Sequence, residues 1–585
     1  MKNLEIVQIL NNIADILEIQ GVEFKPNAYR RAARSIEGLA EDIAEVAGRG
    51  ELRNIPGVGE SIAEKIEEFI KTGKLRYYEQ LKKQVKVNVE ELNAIPTLGP
   101  KKIKLLYEKL HITDVADLKK ALLKKKLQTL PGFGDETVKN LQKGIELLEK
   151  RPQRFLYAQA LPLALDIARK LRQSKAVEKV DIAGSFRRGK ETVGDLDFLA
   201  ISKKPEEVMQ RFTSLPDIDT VLAQGTTRGS VRFRNGLQAD LRVLKEKEFG
   251  SALLYFTGSK DHNIELRKLA ISKKWTLSEY GLFRVKSQKS KISGELEPTV
   301  QTNKKWLAGR TEEEVYKKLG LSFIEPELRE NTGEIAAAQQ KKLPKLITAK
   351  DVQGMFHNHT TWSDGNASVL EMAKKAEELQ FRFLSFNDHY GHIGITNPLN
   401  ERRLAGYLKA IEQAQKKTNV RLFSGVEIDI QKDGSLPLSR KKLQELDVVI
   451  ASVHISTKMP EKEMTQRVVS ALENYPVNIL GHPTDRLLMQ REPLALNLEK
   501  VFATAKRQNV FLEVNGSPGR MDLPGEQVKA ALHAGCKIAL SLDAHDPNHL
   551  GYGPFALQMA RRGWAQKKDV LNCWALPKME KALRK

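Results

Sequence analysis

Residues 180–201 read VDIAGSFRRGKETVGDLDFLAI. Two apolar runs, VDIAGS and GDLDFLAI, have the strand signature and flank a basic turn. Asp195 and Asp197 are two residues apart, so on a strand both carboxylates face the same way. A third acid, Asp240, lies in GLQADLRVL, a further strand-like run. Three carboxylates on neighbouring strands repel one another unless cations sit between them. Magnesium takes such hard oxygen ligands and completes its octahedron with water and substrate phosphate. Two ions so held activate a hydroxyl nucleophile and stabilise a departing pyrophosphate. A lone DxD is common on surfaces, so the reading rests on its combination with the Gly184-Ser185 turn and the distal Asp240.

This G-S-x(9)-D-x-D spacing with a distal Asp resembles the polymerase-beta-like nucleotidyltransferase fold. The resemblance implies that Ser185 and Arg188 bind a triphosphate, with Gly194 close to it. The next segment, LLYFTGSKDHNIELRKLA (253–270), resembles polymerase family X. There the likeness puts Tyr255, Phe256 and Gly258 in the nucleotide pocket, Asn263 at the base edge and Arg267 near the template strand. Lys260 stands where polymerase beta has an acid that contacts the nucleotide. LSEYGLF (277–283) and LGLSFIEPELREN (319–331) fit the thumb that follows.

Further along come candidate metal ligands at what read as strand ends: His357 and His359 in MFHNHT with Asp364 following in TTWSDG, His389 closing FLSFNDH and Glu427 closing LFSGVE. His454 ends VVIASVH, His482 ends VNILGH, and Asp543 and His545 end IALSLDAH. Nine of the 11 histidines lie between 357 and 549. Imidazoles and carboxylates crowded in this way hold zinc, manganese or iron. HxH on a strand predicts two rings on one face. The repeated strand–helix units predict a parallel barrel with the nine ligands on seven successive strand ends. The segment 353–585 resembles the PHP (polymerase and histidinol phosphatase) family of metal-dependent phosphoesterases. The resemblance implies a distorted seven-stranded (β/α) barrel and a trinuclear cluster of Mn2+ and/or Zn2+, with Glu427 bridging two ions. Tyr390 follows His389 where many relatives carry a small hydroxyl residue, and it is expected to narrow the pocket.

Three segments before residue 150 repeat one pattern: IPGVGESIAEKI (55–66), IPTLGPKKIKLL (95–106) and LPGFGDETVKNL (130–141). They resemble the helix–hairpin–helix motif, in which turn amides and a helix N-terminus bind a DNA phosphate. Gly57, Gly59, Gly99, Gly132 and Gly134 allow the backbone to approach it. Such contacts give affinity without base specificity. Thr97 stands where the other copies have glycine. FKPNAYRRAARSI (24–36) and GESIAEKIEEFIKTGKLR (59–76) resemble the small N-terminal domain of DNA polymerase beta. The likeness aligns Lys65 with a Schiff-base lysine and places Lys25 and Tyr29 in support, whereas Ser61 replaces a phosphate-holding lysine. Lys65 stays open to two readings, a lyase nucleophile and a plain phosphate contact.

The chain has 585 residues, too many for one core, and a formal charge of +22. The charge is +3 for residues 1–150 (26 basic, 23 acidic), +13 for 151–350 (38, 25) and +6 for 351–585 (32, 26). A basic middle third suits a polyanion. Two cysteines, Cys536 and Cys573, imply no disulfide framework. MKNLEIVQILNNIADIL reads as an amphipathic helix rather than a targeting segment, and no apolar run reaches membrane-spanning length.

We therefore expect a multidomain α+β and α/β chain. Its parts are a helical DNA-end-binding, lyase-like domain (1–80), helix–hairpin–helix fingers (81–150) and a nucleotidyltransferase palm (151–246). A thumb (247–332), a linker (333–352) and the PHP domain (353–585) follow. The whole resembles bacterial-type family X DNA polymerases with a C-terminal PHP domain. The resemblance implies Mg2+-dependent filling of short gaps in DNA repair and a 3'→5' exonuclease with AP endonuclease or 3'-end processing. Gapped or nicked duplex DNA and dNTPs would be the substrates of a cytoplasmic, nucleoid-associated monomer. Two rivals are a barrel acting on small phosphomonoesters and a DNA-end-binding scaffold with weak catalysis.

Overall fold

In the strand Asp195–Ile201, alternation divides the palm into two faces. Leu196, Phe198 and Ala200 are buried in one apolar cluster, while Asp195, Asp197 and Leu199 project from the other side. The computed structural model describes the chain apart from residues 1, 38–42, 94, 96–97, 125, 135–136, 140, 143–144, 146–153, 287–302 and 392–395. The palm sheet has five strands in the order Lys179–Ile182, Asp195–Ile201, Gln238–Leu244, Arg228–Phe233 and Ile218–Gln224. Only the pair Asp195–Ile201 and Gln238–Leu244 is parallel, and its register sets Asp197 opposite Asp240. The helices Tyr157–Arg172 and Pro205–Thr213 cover the apolar face with Ala164, Ile167, Val208 and Phe212.

The preceding helices share one buried cluster running from Ile6 to Ile145. The described residues of the three repeated turns share one hydrogen bond. The amides of Val58, Leu98 and Phe133 donate to the carbonyls of Ile55, Ile95 and Leu130 at 3.0, 3.1 and 3.1 Å. Gly59 and Gly99 are the N-caps of helices Glu60–Thr72 and Pro100–Leu110. Gly57 and Gly132 have φ of 82° and 80°, a left-handed turn that glycine reaches without strain. Thr97 lies outside the described residues.

Helices Phe249–Thr257 and Lys260–Ser272 and a three-stranded antiparallel sheet follow the palm. The stretch 333–352, read as a linker, carries the helix Glu334–Gln339. Glu334 is fully buried, 2.6 Å from His262 Nδ1, and Ile347 enters the apolar core of the C-terminal domain.

That domain is a parallel barrel. The strands Gly354–Asn358, Phe383–Phe386, Gly425–Asp429, Val448–Ser452, Ile479–Leu480, Phe511–Asn515 and Ile538–Ala544 follow one another. Phe383–Phe386 is continued by Asp388–Tyr390, and Arg421–Phe423 precedes Gly425–Asp429 after a break at Ser424. Counting each broken strand once gives seven staves, and every neighbouring pair is hydrogen-bonded, including the first with the last. The breaks at Asn387 and Ser424 are its distortion.

The ligand candidates end six of these staves, not seven. Asp364 belongs to the turn after Gly354–Asn358, and the stave Phe511–Asn515 carries none of the nine. Nor does simple alternation align the first two histidines. His357 has φ 62° and the register slips there, while His359 lies past the strand end. Their rings nevertheless lie 5.1 Å apart. Tyr390 does not narrow the pocket. It follows His389 on a strand, so it faces the other way and joins the apolar core with Leu399 and Ile428.

Candidate active sites

On the palm, the helix Gly184–Arg187 brings its first turn against Asp197. A β-carbon on Gly184, at φ +67°, would collide with the Asp197 carboxylate. Burial, followed by Asp195 and Asp240, pushes the Asp197 carboxyl up to about 7, against the pull of Arg242 and Arg188. Asp195 is raised in the same sense by burial and by Asp240, with Arg154 opposing. These carboxyls resist ionising together, which is what an acidic site does before cations enter it. Gln238 Nε2 donates to Asp240 Oδ2 at 3.1 Å. The guanidinium of Arg154 donates to the Thr192 carbonyl at 2.7 Å, its Nη1 3.7 Å from where a β-carbon on Gly194 would stand. The sequence reading missed Arg154, which lies 41 residues before Asp195 and outside any motif.

Of the residues assigned to the nucleotide, Phe256 packs on the Leu199 face of the palm strand. Tyr255 and Phe256 end the helix Phe249–Thr257, with ring centroids 5.1 Å apart, and Arg242 stacks 4.4 Å above Phe256. Asn263 Nδ2 donates to the Tyr255 carbonyl at 2.6 Å, and Arg267 is exposed on the next helix. Arg188 Nε donates to Glu330 at 3.0 Å, and its Nη1 to the Thr257 carbonyl. Ser185 is half-buried on the short helix.

In the N-terminal domain, Lys65 Nζ donates to Ser61 Oγ at 2.7 Å and lies 4.8 Å over the Tyr77 ring. Burial lowers its pKa and Lys25 adds to that, while Glu64 and Glu68 oppose. Desolvation is the largest of these causes. Tyr29 is buried and stacks on Tyr77 at 6.4 Å.

Glu427 lies at the heart of the barrel's mouth. Its Oε2 faces His357 Nε2, His359 Nε2 and His389 Nδ1 at 3.3, 3.6 and 3.0 Å. Its Oε1 faces His454 Nε2 and His482 Nε2 at 3.2 and 3.1 Å. A carboxylate whose two oxygens face different imidazoles has the geometry of a bridge between cations. Asp364 Oδ1 lies 3.3 Å from His545 Nε2 and 3.7 Å from His389 Nε2, and Asp543 Oδ1 lies 3.4 Å from His359 Nε2. Three groups each bring their donor atoms within 4.8 Å of one another: His359, Asp364, His389 and His545; His357, His359 and Glu427; and His389, Glu427 and His454.

Two observations say that these donors suit divalent cations. His357 Nε2, both ring nitrogens of His359, His389 Nδ1 and Glu427 Oε2 are buried without hydrogen-bond partners, a cost that coordination would remove. Burial, then His545 and His389, push the His359 imidazole down to about 3, so it stays neutral with a lone pair to donate. Burial alone would depress His454, but Glu427 and Asp429 reverse this and lift it to about 10. Without cations, the carboxylates thus hold protons on imidazoles that metal would displace.

The ligands are themselves oriented. Glu513, unrecognised in the sequence, is fully buried 2.5 Å from His357 Nδ1 and also accepts from Ser541 Oγ and the His482 amide. Such partners set a ligating imidazole's tautomer. Its signal was present, because VFLEVN is one more apolar run ending near an acid. Asp429 does the same for His454 at 3.2 Å. Asp388 binds Thr360 and Ser363 through amides and hydroxyls at 2.7–3.0 Å, fixing the turn that presents Asp364.

Three palm carboxylates, two of them in register, repeated helix–hairpin–helix turns and a histidine-rich barrel define a class: DNA polymerases of family X that carry a PHP domain. Residues 1–75 match the helix-hairpin-helix domain and 89–146 the SAM-like helix-hairpin-helix tandem. Residues 252–330 match the DNA polymerase beta thumb and 356–517 the PHP domain. The chain is 33% identical over 589 residues to DNA polymerase/3'-5' exonuclease PolX of Bacillus subtilis (strain 168), covering 100% of both. The chain belongs to this bacterial PolX branch of family X. It is also 28% identical over 356 residues to DNA polymerase lambda of Rattus norvegicus, 56% of each chain. Its barrel is similar to the probable phosphatase Teth514_1060 of Thermoanaerobacter sp. (strain X514), 29% identical over 228 residues, 37% of this chain and 88% of that one. Among the described residues no helix is long and apolar enough to cross a membrane.

Proposed function

We propose that this polymerase fills short gaps in duplex DNA at the palm and trims 3' ends at the barrel. Magnesium held by Asp195, Asp197 and Asp240 would activate the primer 3'-hydroxyl and stabilise the leaving pyrophosphate. Ser185 and Arg188 bind the triphosphate, Tyr255, Phe256 and Gly258 bound the sugar, Asn263 meets the base edge and Arg267 the template. The turns at Gly57 and Gly59, Gly99, and Gly132 and Gly134 hold backbone phosphates on either side of the gap. Lys65, braced by Ser61, takes the 5'-phosphate end, with Lys25 and Tyr29 beside it.

Manganese or zinc held by the nine barrel ligands would supply an acidified water and a clamp on the phosphoryl oxygens. Glu513, Asp429 and Asp388 hold His357, His454 and the Asp364 turn in place, so the donors need not reorganise when substrate arrives. The same centre serves abasic or blocked 3' ends. One chain holding both sites keeps a 3' end at high effective concentration for either.

The observation that supports this reading best is the Asp197–Asp240 register beneath Gly184, together with the buried donors around Glu427. The test uses a 5'-labelled primer in a one-nucleotide gap, with and without dNTPs. Extension lost only in Asp240→Ala and shortening lost only in His359→Ala would establish two centres. Shortening that survives His359→Ala would return the barrel to the second reading, a small-monoester phosphatase, which the likeness to a probable phosphatase favours.

A further inference from the structure

The barrel is seated on the palm turn that carries the triphosphate ligands. A β-carbon on Gly189 would overlap the Gln558 side chain on the barrel helix Gly553–Arg562. Tyr157 of the palm stacks on Phe186 at 4.6 Å and meets Phe555 of the barrel edge-on at 6.1 Å. At the centre of this junction is Glu330, from the end of the thumb. It accepts from Arg188 Nε at 3.0 Å and from Arg562 Nη1 at 3.1 Å, with Lys190 Nζ 3.6 Å away. Arg562 Nη1 also donates to the Arg188 carbonyl at 2.7 Å. The Arg562 side chain is 4% exposed, Arg188 12% and Glu330 15%, so solvent screens these charges little. Burial alone would raise the Glu330 carboxyl, but Arg188, Arg562 and Lys190 outweigh it and keep it below its ordinary value.

We propose that Arg562 of the PHP domain is a positioning residue for nucleotide addition, fixing Glu330 and the Arg188 backbone so that Arg188 presents its guanidinium to the incoming triphosphate. The assignment rests on the reading of Arg188 as a triphosphate ligand. Two of the three guanidinium nitrogens are already committed, Nε to Glu330 and Nη1 to the Thr257 carbonyl. Nη2 is the nitrogen with both hydrogens left for a phosphate oxygen, and its direction follows from the other two. Three side chains from palm, thumb and barrel thus define one donor. Without Arg562, Glu330 loses a cation that competes for its Oε1 and draws Arg188 and Lys190 more tightly onto itself. The Arg188 main chain also loses its tie to the barrel. Both changes turn the guanidinium from the nucleotide, and an arginine clamp works by geometry as much as by charge.

The test is single-nucleotide gap filling by the full-length protein, with KM and kcat for the dNTP measured separately and 3' shortening measured alongside. Arg562→Met should raise the dNTP KM about tenfold, a typical coupling between sites, and leave the shortening rate unchanged. Arg562→Lys should recover part of that loss. In the double variant Arg188→Ala/Arg562→Met, KM should be no higher than in Arg188→Ala alone, because Arg562 acts only through Arg188. If Arg562→Met loses both activities, Glu330→Gln decides by the same KM criterion, since it removes the shared charge at nearly constant volume. A raised KM in Arg188→Ala with an unchanged KM in Arg562→Met and Glu330→Gln would overturn the positioning role alone. An unchanged KM in Arg188→Ala would remove the triphosphate reading beneath it.

Discussion

Stripping divalent cations from the palm should cost stability, and the cost should fall on Asp197. Its carboxyl stands at about 7 against an ordinary 3.8, pushed there by burial, Asp195 and Asp240. A shift of about three units at ~1.4 kcal/mol each is about 4 kcal/mol between the protonated and ionised forms. Asp197 keeps some contact with solvent, so roughly half of that, ~2 kcal/mol, is the fair expectation. The sign follows from a raised acid pKa. The stabilisation of the protonated form is complete below the unfolded value near 3.8 and is lost as pH rises through about 7. Cation-free protein should therefore weaken between pH ~4 and ~7. Asp197→Asn, which cannot ionise, should escape this. At pH 8 in EDTA the variant should melt about 4–8 °C above wild type, on the scale of a domain the size of palm plus thumb. Magnesium should then close the gap by raising wild type alone. Chelation also empties the barrel, but equally in both proteins, so the difference between them reports the palm. Equal melting temperatures in EDTA, with an equal gain from magnesium, would show that the three acids do not share a cation site.

Other outcomes follow from single contacts. Glu513→Gln should lower the barrel's metal affinity about 10- to 100-fold by freeing His357, read as metal content after dialysis, while leaving nucleotide addition intact. Gly57→Ala places a β-carbon 2.9 Å from Arg31 Cγ at φ +82° and should weaken gapped-DNA binding to the same extent for every sequence tested, because the contact reads backbone. Lys65→Ala should reduce affinity for a gap with a 5'-phosphate about tenfold and have no effect on a gap with a 5'-hydroxyl, in a fluorescence titration of the two substrates. Equal losses on both would exclude Lys65 from the phosphate.

What the sequence revealed depended on how local each signal was. The palm acids were legible because period-two alternation needs only DLD, and Asp240 declares itself through an apolar run of the same kind. The barrel was legible because all its ligands but Asp364 sit where a strand ends, a fact that six short segments state independently. The turns at Val58, Leu98 and Phe133 were legible because one motif recurs. The failures share a different cause. His357 and His359 converge through a left-handed residue and a register slip, which no alternation rule contains. Tyr390 was misplaced because a motif comparison ignores which face of the strand it occupies. Asp364 differs from the other ligands in that TTWSDG holds one apolar residue, Trp362, and forms the turn after Gly354–Asn358.

The junction at Glu330 marks the limit of such reading. Arg188 and Arg562 are 374 residues apart, and Glu330 lies 142 residues from the first and 232 from the second. Each alone is a charged residue in an unremarkable stretch, and only the packed structure makes them one group. A second bridge crosses the same junction. Glu191, three residues after Arg188, lies 3.4 Å from Arg486, which donates to the Arg520 carbonyl at 3.0 Å. Arg520 in turn lies 3.3 Å from the ligand candidate Asp543. Palm and metal cluster are thus joined by contiguous polar contacts through a junction whose members are mostly buried, where a lost partner is costly to replace. A chain in which the barrel were merely tethered would have no need of these contacts. Their presence argues that the two centres were shaped against one another, and that removing the barrel will change nucleotide addition as well as abolish trimming.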